Sequence, residues 1–275
     1  MAENTAELKT AETEIDKVVL VGNLTSDFTY HHSTKSANIY KSFISVKRDS
    51  GVEDLIPVMA TERVLKEAFS LTEEKSYGAN GYMVCIEGLM ASYNEHITEN
   101  KSTLILYVKP NNILIVSDDN VFSNKIELTG YIVKNVVVRE TPGIKDDNGA
   151  WIKAPRRVAD VLLGVNLTFG NNKISYYIPC IAWSKCASAI STLKVGTQIN
   201  LHGRIQSRNY IKKLENGEPL HKVAYEVSIT DFVQFDEKGN VVPIEMKDNK
   251  KKERPRREKR VTVKTKHNPN GFNLD

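Results

Sequence analysis

Apolar residues in this chain fall in short runs that partly alternate with polar ones, and most runs are bounded by Gly, Asn, Asp or Pro. Short, β-branched, alternating runs predict strands rather than helices. The pattern then returns once, at a spacing of about 110 to 120 residues, far longer than the period of a stacked-repeat protein. Asp16 to Leu24 returns as Asn124 to Ile132, and Ser42 to Val46 as Val161 to Val165. Leu55-Ile-Pro57-Val-Met-Ala60 returns as Tyr177-Ile-Pro179-Cys-Ile-Ala182, and Ile86 to Ser92 as Leu201 to Ser207. These matches, in one order, predict two similar domains.

Gly22, Gly88, Gly130 and Gly203 sit inside strand patterns, where glycine marks a bulge or a sharp bend. Bent strands are what a small closed barrel requires. Glu62 to Phe69 and Ser184 to Leu193 lack alternation and place Leu, Ala and Ile at helical spacing, so each repeat carries one short helix. Five strands with a helix between the third and fourth are the OB arrangement. The expected fold class is all-β with short helices: two tandem OB-fold five-stranded barrels and a basic tail. The expected boundaries are a disordered N-terminus over 1–15, a first barrel over 16–120, a second over 121–246, and a disordered tail over 247–275.

Charge separates the two repeats. Residues 1–120 hold 11 basic and 18 acidic side chains, residues 121–246 hold 16 and 12, and residues 247–275 hold 11 and 4. A polyanion is therefore drawn to the second repeat and the tail and repelled by the first. The tail, dense in charge and poor in apolar residues, cannot bury enough surface to fold alone; it reads either as a solvated spacer or, the favoured reading, as a salt-sensitive polyanion clamp.

Several functions are disfavoured by what the motifs lack. Cys85, Cys180 and Cys186 form no CxxC pair and are odd in number, against a disulfide framework or a cysteine zinc site, and are read as buried thiols. There is no phosphate-binding GxxxxGK[ST], no HExxH and no nucleophile elbow, so no enzyme, cofactor or metal is expected. His31 and His32, adjacent in a strand pattern, are expected to point to opposite faces and make a poor metal pair. No apolar stretch reaches 18 residues and the start is acidic, which predicts no membrane span, no signal peptide and a cytoplasmic, nucleoid-associated location.

The second repeat carries Asn124 to Gly130, Arg157-Val-Ala159 running to Asn166, Tyr177-Ile-Pro-Cys-Ile-Ala-Trp183-Ser-Lys185, and Gly203-Arg-Ile-Gln-Ser-Arg208-Asn-Tyr210. In this order the segments resemble the bacterial single-stranded DNA-binding protein family, whose pattern runs N-x-hydrophobic-x-L-x-G, R-V-A, aromatic-I-P, then G-R-hydrophobic-x-(S/T)-R-x-aromatic. The resemblance spans both repeats and is stronger in the second. In the first, Leu55 stands where the second has Tyr177, Thr61 near the place of Trp183, and Glu95 at that of Tyr210. The first binding face is accordingly expected to be degenerate, with Phe28, Tyr30 and Tyr93 in core or partner-facing roles.

The resemblance implies a non-catalytic protein that holds single-stranded DNA in replication, recombination or repair. Bases would stack on Tyr177, Trp183 and Tyr210, each stack contributing roughly 1–3 kcal/mol. Arg156, Arg157, Lys173, Lys185, Arg204 and Arg208 would contact phosphates or stack as guanidinium planes. Trp151, beside the Asp147-Asn148-Gly149 turn, either extends that surface or covers the barrel. The family's four-barrel assemblies imply a homodimer here, and replication or recombination proteins are the expected partners. The chain ends Asn270 to Asp275 without the family's acidic tip and hydrophobic dipeptide, which puts recruitment by that route in question. A protein-interaction scaffold or primosome-like accessory factor is the competing reading, and stacking alone leaves DNA and RNA undistinguished.

Overall fold

The structure, a computed structural model, describes residues 14–73, 76–98, 101–118, 121–213 and 219–243. The tail expected over 247–275 lies outside the described residues. The first half contains β1 (Asp16–Leu24), β2 (Phe28–Ser33), β3 (Asn38–Lys47), β4 (Glu53–Thr61) and α1 (Glu62–Ala68). It continues with β5 (Leu71–Glu73), β6 (Ser76–Tyr77), β7 (Met83–Thr98) and β8 (Lys101–Ile115). The second half runs β9 (Ser123–Ile132), β10 (Val137–Thr141), β11 (Ile144–Lys145), β12 (Trp151–Lys153), β13 (Arg156–Phe169) and β14 (Asn172–Trp183). It ends with α2 (Ser184–Ile190), β15 (Gln198–Lys213), β16 (Pro219–Phe235) and β17 (Val241–Val242).

The pairings close on themselves twice. β1 pairs with both β3 and β7, β3 with β4, β7 with β8, and β4 meets β8 in parallel at Val58 and Val108. In the second half β9 pairs with β13 and β15, β13 with β14, β15 with β16, and β14 meets β16 in parallel over Cys180–Ala182. Each ring has the strand order of an OB barrel, with its helix after the third strand. The fold is thus all-β with two short helices. Buried Leu20, Ile44, Ile56 and Ile86 of the first ring and Leu128, Leu163, Ile178 and Leu201 of the second belong to one contiguous apolar cluster.

The strand glycines explain the closure. A Cβ on Gly22 would stand 2.3 Å from the Ser45 carbonyl oxygen, and one on Gly130 2.6 Å from that of Gly164, because the first strand of each ring crosses directly over the second. Gly88 and Gly203 lie at bulges, after Glu87 and His202, where the fourth strand bends round the barrel. Repeat-equivalent glycines therefore do equivalent work.

The rings meet through their first strands, β1 running antiparallel to β9 from Asp16 opposite Leu128 to Val21 opposite Ser123. The pairing is symmetric under exchange of the repeats: Asp16 faces Leu128, and their counterparts Asn124 and Leu20 face each other. Two further bonds obey the same exchange. Leu55 N donates to Ser207 Oγ at 3.1 Å, and Tyr177 N to Ser92 Oγ at 3.0 Å. Glu14, assigned from sequence with Ile15 to a loose terminus, instead accepts from Thr168 N and Oγ1 at 2.9 and 2.8 Å, while the Ile15 carbonyl accepts from Thr129 N at 2.7 Å. Residues 1–13, the remainder of the expected N-terminal segment, lie outside the described residues.

Candidate functional site

β14 alternates in exposure over Tyr176–Pro179, beyond which Cys180, Ile181 and Ala182 are all buried before the strand ends at Trp183. Ile178 is fully buried while its neighbour Tyr177 is 46% exposed, as the two-residue period of a strand demands. Trp183, six residues on, shares the face of Tyr177 and is half-buried, opposite Val158 at the strand end where α2 begins. The two rings are thus about 20 Å apart along the strand, at about 3.3 Å per residue. Gly164, opposite Tyr177, leaves the backbone beside that tyrosine uncovered by any side chain of its own.

Tyr210 sits 37% exposed on β15 opposite Lys222, with the Arg208 guanidinium 5.9 Å from its ring centre. Arg208 also lies 3.7 Å from Glu226, which is buried and accepts from Gln206 Nε2 at 2.7 Å. Arg156 and Arg157 are exposed near the start of β13, paired with Thr141 and Glu140 of β10, and Lys173 is exposed at the opposite end, facing Thr168. The twelve residue steps from Arg156 to Thr168 span about 40 Å, so these cations mark a track rather than a pocket. Lys185 is exposed on α2. Trp151 is 54% exposed on the separate β11–β12 ribbon, with Lys145 Nζ 4.6 Å above its ring and Gly143 against its edge.

Arg204 is not on that open surface. Its Nη1 reaches Asp54 Oδ2 of the first ring at 3.3 Å, and Asp54, whose side chain is fully buried, also binds Arg48 through Nε at 2.6 Å and through Nη2. Asp54 Oδ1 accepts from Ser207 N at 2.9 Å as well. Burial and the nearby Arg48 guanidinium lower the Arg204 pKa from its ordinary value. Nothing local in the sequence signals this cluster, which joins residues 150 positions apart.

The first ring departs from expectation in two ways. A bulge between Tyr30 and His32 breaks the alternation of β2, so the His31 and His32 rings meet, Nδ1 to Nδ1, at 2.7 Å instead of pointing to opposite faces. Among the described residues no third His, Cys, Asp or Glu joins them in a metal-binding cluster. They line a groove of about 590 Å³ with Thr61, Tyr93, Glu95 and Tyr107. Tyr93 and Tyr107 pack edge-on at 5.9 Å, and burial pushes the Tyr107 hydroxyl up to about 12. Phe28 is core and Tyr30 is 38% exposed. Of the cysteines, Cys180 is buried, while Cys85 and Cys186 are only partly so.

Two joined OB rings, one with an outward aromatic face and cations along it, define a class of open-surface binding folds. No family model matches the chain. Among curated proteins it is 33% identical over 121 residues to the single-stranded DNA-binding protein 2 of Listeria innocua, a match covering 42% of this chain and 66% of that protein. It is 33% identical to the single-stranded DNA-binding protein A of Bacillus subtilis, covering 61% of it, and 31% identical to the single-stranded DNA-binding protein 1 of Streptococcus pyogenes, covering 82%. The chain thus spans under two thirds of the length of the Listeria and Bacillus relatives. Its fold is that of the wild-type single-stranded DNA-binding protein of Thermus aquaticus, with TM-score 0.56 and 16% identity over 81% of this chain and 93% of that one. The chain belongs to the single-stranded DNA-binding protein family.

Proposed function

We propose that this protein binds single-stranded DNA without catalysis and with little sequence preference, covering exposed strands during replication, recombination or repair. The observation that carries the reading is exposed Tyr177 and half-buried Trp183 on one side of β14 in a chain of this family. Unpaired bases stack on such aromatic faces whatever their identity, while cations follow the phosphates. Tyr177, Trp183 and Tyr210 are the stacking groups, and Arg156, Arg157, Lys173, Lys185 and Arg208 the phosphate contacts, with Trp151 as an added platform. On this reading residues 121–246 hold the strand, and residues 16–120 serve assembly. Two rings per chain suit a homodimer, with replication or recombination proteins as partners.

The test is a tryptophan-fluorescence titration with oligo-dT at low and high salt, comparing wild type with Trp183→Ala, in which Trp151 remains as reporter, and with Tyr177→Ala. Loss of one stacked base, roughly 1–3 kcal/mol, weakens binding about 5- to 150-fold. Absence of saturable binding by wild type at low salt, or unchanged affinity in both variants, overturns the reading.

A further inference from the structure

The seam between the rings has a groove of about 440 Å³ at the mouth of the Asp54 cluster. Lys47 enters it from the end of β3, Arg48 from the loop that follows, Lys125 from β9 and Arg204 from β15, with Phe122 as an aromatic wall. Asp49 is the one carboxylate among these lining residues, and Asp54 lies buried behind them, bound to Arg48 and Arg204. Asp54 engages two of the five N–H donors of Arg48 and holds Arg204 beside it, which fixes two guanidiniums side by side on a single carboxylate. The first ring is otherwise acidic, and this is where it turns basic. From the groove, β15 carries Arg204, Gln206, Arg208 and Tyr210 in one alternation, with Gln206 buried and Arg208 and Tyr210 exposed.

We propose that this seam groove is a phosphodiester-binding site, on which a single strand leaving the second ring crosses onto the first. The proposal rests on the single-strand reading above and adds a contribution from the first ring. Lys47 and Lys125 contact the phosphates, the Arg48–Arg204 pair supplies oriented donors, and Phe122 offers a face to one base. The alternation of β15, which leads from the groove to the stacking surface, favours a nucleic acid strand over an acidic peptide.

The test compares fluorescein-labelled dT oligomers of about 8 and about 35 nucleotides, one able to occupy a single OB surface and one able to reach further. Wild type and Lys47→Gln/Lys125→Gln are titrated between about 50 and 200 mM salt, with urea midpoints confirming equal folding. Two lost phosphate contacts lower the salt slope by about 1.4 for single strands, a roughly sevenfold smaller loss of affinity across that range. The effect is expected for the long oligomer and not for the short one. If wild type binds both and the variant matches it on both, the groove proposal alone fails. If wild type binds neither, the single-strand reading fails and the proposal with it. If the variant keeps the long oligomer but loses low-salt binding of polyglutamate, the groove is an acidic-peptide site and the proposal is overturned.

Discussion

Asn124 and Asp16 occupy the same place in the two repeats, yet only one of them is chemically complete. Asn124 Oδ1 accepts from Ile205 N at 2.8 Å while its Nδ2 donates to the Ile205 carbonyl at 2.7 Å. Asp16 Oδ1 accepts from Met90 N at 2.8 Å, but Oδ2 is buried with no hydrogen-bond partner. Burial raises the Asp16 carboxyl from 3.8 to about 7, against the opposing pull of the Met90 N–H. A carboxyl with a higher pKa folded than unfolded binds more protons when folded. The contribution of Asp16 to stability is therefore full below about pH 4, falls as pH rises towards 7, and is flat above it. At about 1.36 kcal/mol per pKa unit the loss reaches about 4 kcal/mol. Asp16→Asn supplies the missing donor without the charge. Urea unfolding of this variant is expected to match wild type within about 1 kcal/mol near pH 4 and to exceed it by about 4 kcal/mol near pH 8. Asn124→Asp should import the same pH dependence into the second ring. Parallel stability curves for wild type and Asp16→Asn from pH 4 to 8 would refute the argument.

Removing the buried carboxylate by Asp54→Ala leaves Arg48 and Arg204 adjacent and Ser207 N without its acceptor, and is expected to cost about 3–5 kcal/mol in urea unfolding; Asp54→Asn should lose less. Gly130→Ala places a Cβ where only 2.6 Å separates it from the Gly164 carbonyl oxygen, so a destabilisation of about 2 kcal/mol or more is expected from the thermal midpoint. The same change at Gly149, with open space around it but φ of 80°, is expected to cost about 1 kcal/mol through backbone strain alone.

The repeat made the frame legible because strand order, helix position and close-packed glycines all follow from local patterns, and each occurs twice. Even the two bonds across the seam, Leu55 N to Ser207 Oγ and Tyr177 N to Ser92 Oγ, are related to each other by the sequence matches of Leu55 to Tyr177 and of Ser92 to Ser207. What stayed hidden depends on geometry that no local pattern encodes. A single bulge in β2 turned His31 and His32 towards each other, and Arg204, indistinguishable in sequence from Arg208 as a strand cation, is claimed by a carboxylate of the other ring. The aromatic groove of the first ring was missed for a related reason. Tyr107 comes from a strand with no counterpart among the family's aromatic positions, and its alternation with buried Leu106 and Val108 was the available signal.

Joining two barrels in one chain removes a constraint that two separate copies must obey. About a true two-fold, every contact between residues i and j recurs between j and i, so a change made for one face is imposed on the other. Here the backbone of the seam keeps that symmetry while the side chains do not. Asp54 and Arg204 form the ionic cluster on one side, and the corresponding residues on the other, Tyr176 and Leu89, are a nearly buried tyrosine and a leucine packed against the core. Since neither of these two positions carries a charge, the charges are not required to close the seam, and burying Asp54 carries a desolvation cost that its counterpart avoids. What the ionic side has and the apolar side lacks is a fixed pair of guanidiniums at the mouth of a groove. The asymmetry sets two oriented guanidiniums at one crossing between the rings, whereas at the other a single mobile cation, Lys109, stands with its Nζ 5.9 Å from the Phe169 ring, so the two crossings offer a polyanion different donors.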